Sequence, residues 1–162
     1  MAMTKIITFD FDNTIAMSHM NFPDGDVEYV FDEYNEKIIN LIKKYIKNGD
    51  DRRIVTSRTE AKEGMFPDDT VKIHLDKLQL SGYFWPDKVH YTNGSLKAKK
   101  LKELGSTLHY DDDIEENMNN LGVIKTINPY EFYKDTEFAG KCIIYDSKDR
   151  ILLLRRTDEG LK

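Results

Sequence analysis

Cysteine is nearly absent from this chain of 162 residues, since Cys142 is the only one. A single cysteine excludes an internal disulfide and a cysteine-based zinc site, and it is typical of a reducing compartment. Long hydrophobic runs are also missing, because no segment approaches the roughly 20 apolar residues of a membrane-spanning helix. Residues 1–7 lack the apolar core of a signal peptide. We therefore expect a cytoplasmic protein without a membrane partner.

Positive charge is in short supply as well. The chain has 29 acidic and 24 basic side chains, which gives a formal net charge of −5. This excess of acid argues against a general electrostatic attraction to nucleic acid or to anionic membranes, although it is compatible with a local basic site. The length and the 40% hydrophobic content fit one ordinary domain with a sizeable core.

What the chain does contain is a regular alternation of strand and helix signals. Strands are predicted at 6–9, 53–57, 88–91, 107–110 and 123–127, and helices at 31–47, 71–78, 96–104 and 114–121. This alternation predicts an α/β fold whose central parallel sheet has helices on both faces. Residues 17–26 are rich in turn formers and are expected to be an irregular loop or flap. The aromatic pair Phe84 and Trp85 is expected to fill the core, with a pocket lining as the alternative.

Two carboxylates follow the first predicted strand. Asp10 and Asp12 lie two residues apart, which places both side chains on one side of an extended backbone. Ligands of open α/β sheets bind at the carboxyl ends of the strands. One carboxylate can therefore attack a substrate while the other transfers a proton. The alternative is a solvated acidic turn that ends an edge strand.

Polar residues also follow two other predicted strands and open one predicted helix: Thr56, Ser57 and Arg58; Asp111, Asp112 and Asp113; and Lys97. Phosphoryl transfer needs a nucleophile, a proton carrier, an oxygen-bound divalent cation and donors to the phosphate oxygens. Clustered aspartates indicate Mg²⁺, and without a metal one of them should have a raised pKa. Lys97 is a candidate donor to phosphate, and the alternative is that it is only a solvated member of the run Lys97, Lys99, Lys100 and Lys102. Lys99 is the other candidate in this run.

In their order and spacing these residues resemble the four motifs of the haloacid dehalogenase (HAD) superfamily of phosphohydrolases: Asp10 to Thr14 (DFDNT), Thr56, Lys97, and Asp111 with Asp112. The family often has glycine where this chain has Asn13, and both residues tolerate a positive φ. The resemblance implies a HAD-like Rossmannoid three-layer sandwich over residues 1–137. The intervals between the motifs leave no room for a folded cap, as in capless members.

The resemblance also implies roles for the first three motifs. Asp10 would be the nucleophile that becomes an aspartyl phosphate, and it would also bind Mg²⁺. Asp12 would be the general acid and base, with its backbone carbonyl on the metal. Thr56 and Lys97 would bind phosphate oxygens.

For the fourth motif, the resemblance implies that Asp112 reaches the metal and that Asp111 supports the lysine or a metal-bound water. Asp113 leaves this register open by one residue. Ser57 and Arg58 are further substrate-binding candidates. Arg58 either grips a second phosphate or a carboxylate of the substrate, or forms an ion pair with an acid such as Glu60 or Glu63.

The segment 138–162 resembles the opening hairpin of a Nudix hydrolase, although the signature helix with its glutamates is missing and no Nudix activity is implied. We expect a β-hairpin appendage, either part of a longer fusion or a local addition. Its apolar edge would favour pairing with another copy of the chain.

We expect a Mg²⁺-dependent phosphomonoester hydrolase that acts on a nucleotide, a nucleic-acid end or another phosphomonoester. Its specificity would come from the loop at 17–26 and from Arg58. The main alternative is a catalytically idle HAD-like domain that serves as a binding or dimerisation module. A response-regulator receiver domain fits less well, because its acid pair follows strand one while its phosphorylated aspartate stands alone at strand three.

Overall fold

A parallel five-stranded sheet lies at the centre of the computed structural model, which describes residues 5–65 and 67–130. Its strands are β1 (Ile6–Phe9), β4 (Asp51–Thr56), β5 (Val89–Tyr91), β6 (Leu108–Tyr110) and β7 (Lys125–Ile127). Their order is β5-β4-β1-β6-β7, and all neighbours are parallel. The predicted α/β fold with a central parallel sheet is confirmed. Because β1 is the middle strand, its carboxyl end lies at the centre of the ligand-binding edge.

Helices flank this sheet, and those in the described residues are α1 (Glu36–Asn48), α2 (Val71–Lys77), α3 (Ser81–Phe84), α4 (Ala98–Leu104) and α5 (Ile114–Asn119). Polar side chains accept a backbone N–H at the start of three of them, Asn35 before α1, Thr70 before α2 and Asp113 before α5. None of these helices has the length and hydrophobicity needed to cross a membrane.

The core combines apolar side chains of the sheet with those of the helices. Its fully buried members include Phe9, Ile38, Ile42, Ile54, Leu75 and Phe84. Trp85 packs against the same cluster. The aromatic pair therefore fills the core as expected.

An antiparallel hairpin lies between β1 and α1. Its strands are β2 (Ala16–Asn21) and β3 (Glu28–Tyr34), joined through a 3-10 turn at Pro23–Gly25. The predictions of an irregular loop at 17–26 and of a helix that starts at Phe31 were therefore wrong. Phe31 and Tyr34 are three residues apart and imitate helical spacing, whereas the aromatic and β-branched residues of 29–31 favour strand pairing.

Smaller differences concern the ends of helices. The helix predicted at 96–104 begins at Ala98, and the helix predicted at 114–121 ends at Asn119. Residues 81–84, which no predicted helix or strand included, form α3. The predicted hairpin at 138–162 and the boundary after residue 137 lie outside the described residues.

The positive φ of Gly49, in the turn between α1 and β4, can be tested by substitution. Gly49 ends α1 with a φ of +81°, while Gly82 lies in α3, and an added Cβ would meet no atom within 4 Å at either position. We expect Gly49→Ala to lower the free energy of unfolding by about 1 kcal/mol, because a Cβ disfavours the left-handed conformation. Gly82→Ala should be neutral or stabilising. Urea denaturation measures both, and equal losses would contradict the assigned backbone.

Candidate active site

A tight turn after β1 positions Asp10. The N–H of Asp10 donates to the carbonyl of Tyr110 at 2.8 Å and so extends the ladder between β1 and β6. The chain then reverses at Asn13, whose φ is +61° and whose N–H donates to the carbonyl of Ala16 at 2.8 Å. The side chain of Asn13 accepts the N–H of Ser18 at 2.9 Å. Asn13 thus adopts the positive φ expected at this position.

Lys97 binds two buried carboxylates at this edge of the sheet. Its Nζ lies 2.7 Å from Oδ1 of Asp10 and 2.6 Å from Oδ2 of Asp111. Burial disfavours the charged amine, but the carboxylates of Asp10 and Asp111 outweigh it and raise the pKa of Lys97 well above its usual value. Lys97 is therefore an ammonium ion between two acids. Lys99, the alternative candidate, is exposed on α4.

A buried hydrogen-bond chain supports Asp111 from behind. Nε2 of His109 lies 2.9 Å from Oδ2 of Asp111, and Nδ1 of His109 lies 2.8 Å from Oγ1 of Thr8. The same Oγ1 of Thr8 lies 2.8 Å from the hydroxyl oxygen of Ser106, within hydrogen-bond distance. Burial alone would raise the pKa of Asp111, but the bond to His109 and the charge of Lys97 lower it overall. Asp111 is thereby kept ionised.

The sequence analysis missed His109, although a signal was present. His109 and Asp111 are two residues apart at the end of β6, so an extended backbone places both side chains on one side. The contact of His109 with Thr8 depends on the pairing of β1 with β6, which aligns the two residues.

Thr14 connects Asp10 to Asp112. Its hydroxyl donates to Oδ2 of Asp10 at 3.0 Å and accepts the backbone N–H of Asp112 at 3.2 Å. Burial and the neighbouring Asp10 raise the pKa of Asp112 to about 9, and burial also raises the pKa of Asp10. Without a cation, this pair keeps a proton at neutral pH. The expectation of an aspartate with a raised pKa is confirmed.

The acids of this edge fit a small hard cation. Asp10, Asp111 and Asp112 each offer an oxygen within 4.8 Å of the others. The oxygens of Asp111 accept three bonds, from Lys97, His109 and the N–H of Asp113, whereas those of Asp10 accept one each, from Lys97 and Thr14, so Asp10 and Asp112 are the candidates for direct ligands. Mg²⁺ characteristically uses one or two carboxylates and completes its shell with water and phosphate.

The side chains of Asp113 and Asp12 lie outside this cluster. Asp113 accepts the N–H of Glu116 at 3.1 Å and so caps α5, which leaves Asp112 as the fourth-motif acid beside Asp10. The sequence placed the side chains of Asp10 and Asp12 on one side of an extended backbone, whereas in the structure only Asp10 belongs to the cluster. The carboxylate of Asp12 turns to Arg58 instead.

Arg58 binds Asp12 through two parallel hydrogen bonds. Its Nε and Nη2 each lie 2.9 Å from one oxygen of Asp12. Nη1 donates to Glu63 at 3.0 Å, and the guanidinium lies 5.0 Å from the centre of the Phe11 ring. The ion pair with Glu63 is one of the two alternatives given by the sequence. In the structure, Arg58 therefore forms ion pairs with acidic side chains of the protein.

The remaining candidates follow β4. Thr56 is fully buried at the end of the strand beside β1, and its hydroxyl accepts the N–H of Arg58 at 3.2 Å. A hydroxyl that accepts one bond keeps its O–H available to donate. Ser57 is exposed, and its carbonyl accepts the N–H of Gly94 at 2.7 Å. The backbone of Ser57 thus connects the loop after β4 to the loop after β5.

No family model and no curated protein matches the chain. Among solved structures, the chain is similar to a hypothetical protein from Xanthomonas campestris, with 14% sequence identity and a TM-score of 0.43. The match covers 81% of this chain and 69% of that one. A likeness of this level carries no inference about function.

Because Lys97 binds the buried Asp10 and Asp111, its loss should affect stability more than the loss of Lys99. Lys97→Met should lower the free energy of unfolding by about 3–5 kcal/mol at neutral pH without metal, because two buried acids lose their counter-charge. Lys99→Met, on the exposed face of α4, should change it by less than about 0.5 kcal/mol. Thermal and urea denaturation measure both. A similar small effect of the two variants would contradict the assignment of Lys97.

Proposed function

We propose that this protein is a Mg²⁺-dependent phosphomonoester hydrolase that acts through an aspartyl phosphate on Asp10, as the resemblance to HAD phosphohydrolases implies. The observation that carries the proposal is the buried carboxylate of Asp10 at the carboxyl edge of the sheet. It lies 2.7 Å from the ammonium of Lys97 and 3.0 Å from the hydroxyl of Thr14, with Asp112 beside it. This is an oriented nucleophile with cationic and acidic neighbours in place.

The reaction has two displacements at phosphorus. In the first, an oxygen of Asp10 attacks, the bond from phosphorus to the alcohol oxygen breaks, and Asp12 donates a proton to that oxygen. In the second, Asp12 takes a proton from water, the water oxygen attacks phosphorus, and the bond to Asp10 breaks. Inorganic phosphate leaves, and both aspartates return to their starting states.

Fixed charges of the chain support both displacements. Lys97 neutralises Asp10, and the O–H of Thr56 would donate to a phosphate oxygen at the same edge. Asp10 and Asp112 would bind Mg²⁺, which supplies positive charge against the repulsion between phosphate oxygens and carboxylates. Asp111, fixed by His109, keeps the ammonium of Lys97 in place.

Proton transfer requires a free oxygen on Asp12. In the structure both oxygens accept bonds from Arg58, so the side chain has to turn from Arg58 toward the leaving group and take up a proton from solvent before the first displacement. The carboxylate of Asp12 is 42% exposed, which leaves room for that rotation. Arg58 thus holds Asp12 in the resting site and releases it for proton transfer.

Loss of the nucleophile is the first test. Asp10→Asn should reduce turnover of phosphomonoesters by at least about 1,000-fold, because an amide is a poor nucleophile. The fold should persist, since the amide preserves the shape. A panel of phosphomonoesters assayed with Mg²⁺ and with a chelator measures this. A variant with more than a few per cent of the wild-type rate would exclude Asp10, and no hydrolysis by wild type would favour the idle binding module.

Two neighbouring aspartates provide a matched test of the metal site. Asp112→Asn should abolish the rise in melting temperature caused by Mg²⁺, because a carboxylate ligand is lost, while the metal-free protein stays folded. Asp113→Asn should preserve that rise, because asparagine also caps a helix. Thermal denaturation with Mg²⁺ and with chelator measures both. A rise that survives in Asp112→Asn and disappears in Asp113→Asn would reverse the assignment.

A further inference from the structure

A cavity of about 380 Å³ opens beside the turn that follows β1, which contains Asp12 and Asn13. Asp12 and Asn13 form one wall, the hairpin forms a second through Tyr29 and Phe31, and the loop after β4 forms a third. The volume lies within the roughly 300–1,000 Å³ of small-molecule sites. Asp12 follows Asp10 by two residues. The alcohol part of an ester whose phosphoryl group is on Asp10 therefore has this cavity next to it.

The charges of the cavity disfavour a second anionic group. A guanidinium has five N–H donors, and all five of Arg58 are used by Asp12, by Glu63 and by the carbonyl and carboxylate of Asp69. None is left for a substrate phosphate. Lys62 is the other cation of the lining, against the three acids that surround Arg58. A polynucleotide or a diphosphate would meet net negative charge here.

The hairpin supplies aromatic surface to the same cavity. Tyr29 and Phe31 are two residues apart on β3, so their side chains share one face. Tyr29 is 69% exposed and Phe31 is 37% exposed, which leaves ring surface available to a ligand. Exposed aromatic faces bind flat rings by stacking. Ser18 and Thr59 add hydroxyls to the lining.

We propose that this cavity binds the flat, uncharged ring system of the leaving group, and that the substrate is a nucleoside carrying a single phosphate. The catalytic part of this inference rests on the proposed function. The stacking partner is Tyr29, supported by Phe31. Arg58 contributes by fixing Asp12 and the walls of the cavity, and it does not bind a second phosphate.

Two exposed tyrosines provide the test. Tyr29→Ala should lower kcat/KM for adenosine monophosphate about tenfold more than kcat/KM for glycerol phosphate, because only the nucleotide has a ring to stack. Tyr29→Phe should restore the nucleotide rate. Tyr83 is 45% exposed on α3, away from the cavity, and Tyr83→Ala should change neither rate. Equal losses for both substrates would overturn the proposal, as would faster hydrolysis of a phosphorylated oligonucleotide or of adenosine diphosphate.

A binding measurement separates this inference from the proposed function. Adenosine, which has no phosphate, should show saturation transfer in ligand-observed NMR with wild type and with Tyr83→Ala, and the signal should be lost with Tyr29→Ala. If adenosine binds in this way while no ester is hydrolysed, the cavity assignment stands and the phosphatase assignment fails. If esters are hydrolysed while adenosine binding is absent or insensitive to Tyr29→Ala, the cavity assignment fails.

Discussion

The contact of Lys97 with Asp10 and Asp111 is the interaction on which the candidate site depends. Carboxylates buried at one edge of a sheet repel each other, and a fixed ammonium between them offsets that repulsion. Lys97 directly precedes α4, Asp10 directly follows β1, and Asp111 directly follows β6. The three elements are therefore joined where the middle of the sheet meets solvent.

The hydrogen-bond partners of the four aspartates Asp10, Asp12, Asp111 and Asp112 differ. His109 and Thr8 fix Asp111 on its buried side, so Asp111 serves Lys97. Thr14 joins Asp10 to Asp112, the two acids that fit a cation. Asp12 belongs to the wall of the neighbouring cavity, where Arg58 holds it. In the proposed mechanism, the same short turn therefore carries the nucleophile, Asp10, which is buried, and the proton carrier, Asp12, which lines the cavity.

The sheet and the acid positions were predictable because they depend on local signals. β1, β4 and β6 each contain buried apolar residues near their carboxyl ends and are followed by polar residues, and parallel topology brings those ends together. The hairpin was missed because Phe31 and Tyr34 have helical spacing by coincidence. The pairing of β3 with β2 is not visible in local periodicity. Glu63 was among the predicted partners of Arg58, whereas Asp12 and Asp69 were not predictable, since these contacts join residues 46 and 11 positions apart in the chain.

The proposal requires a covalent phosphoryl group on Asp10, and chemical trapping tests this most directly. The wild-type protein would be mixed with Mg²⁺ and a phosphomonoester, quenched rapidly and reduced with borohydride, which converts an aspartyl phosphate to homoserine. Peptide mass spectrometry would then locate the modified residue. The account predicts homoserine at position 10, dependent on both substrate and Mg²⁺. Modification at position 12, 111 or 112 instead, or none while the ester is being hydrolysed, would contradict it.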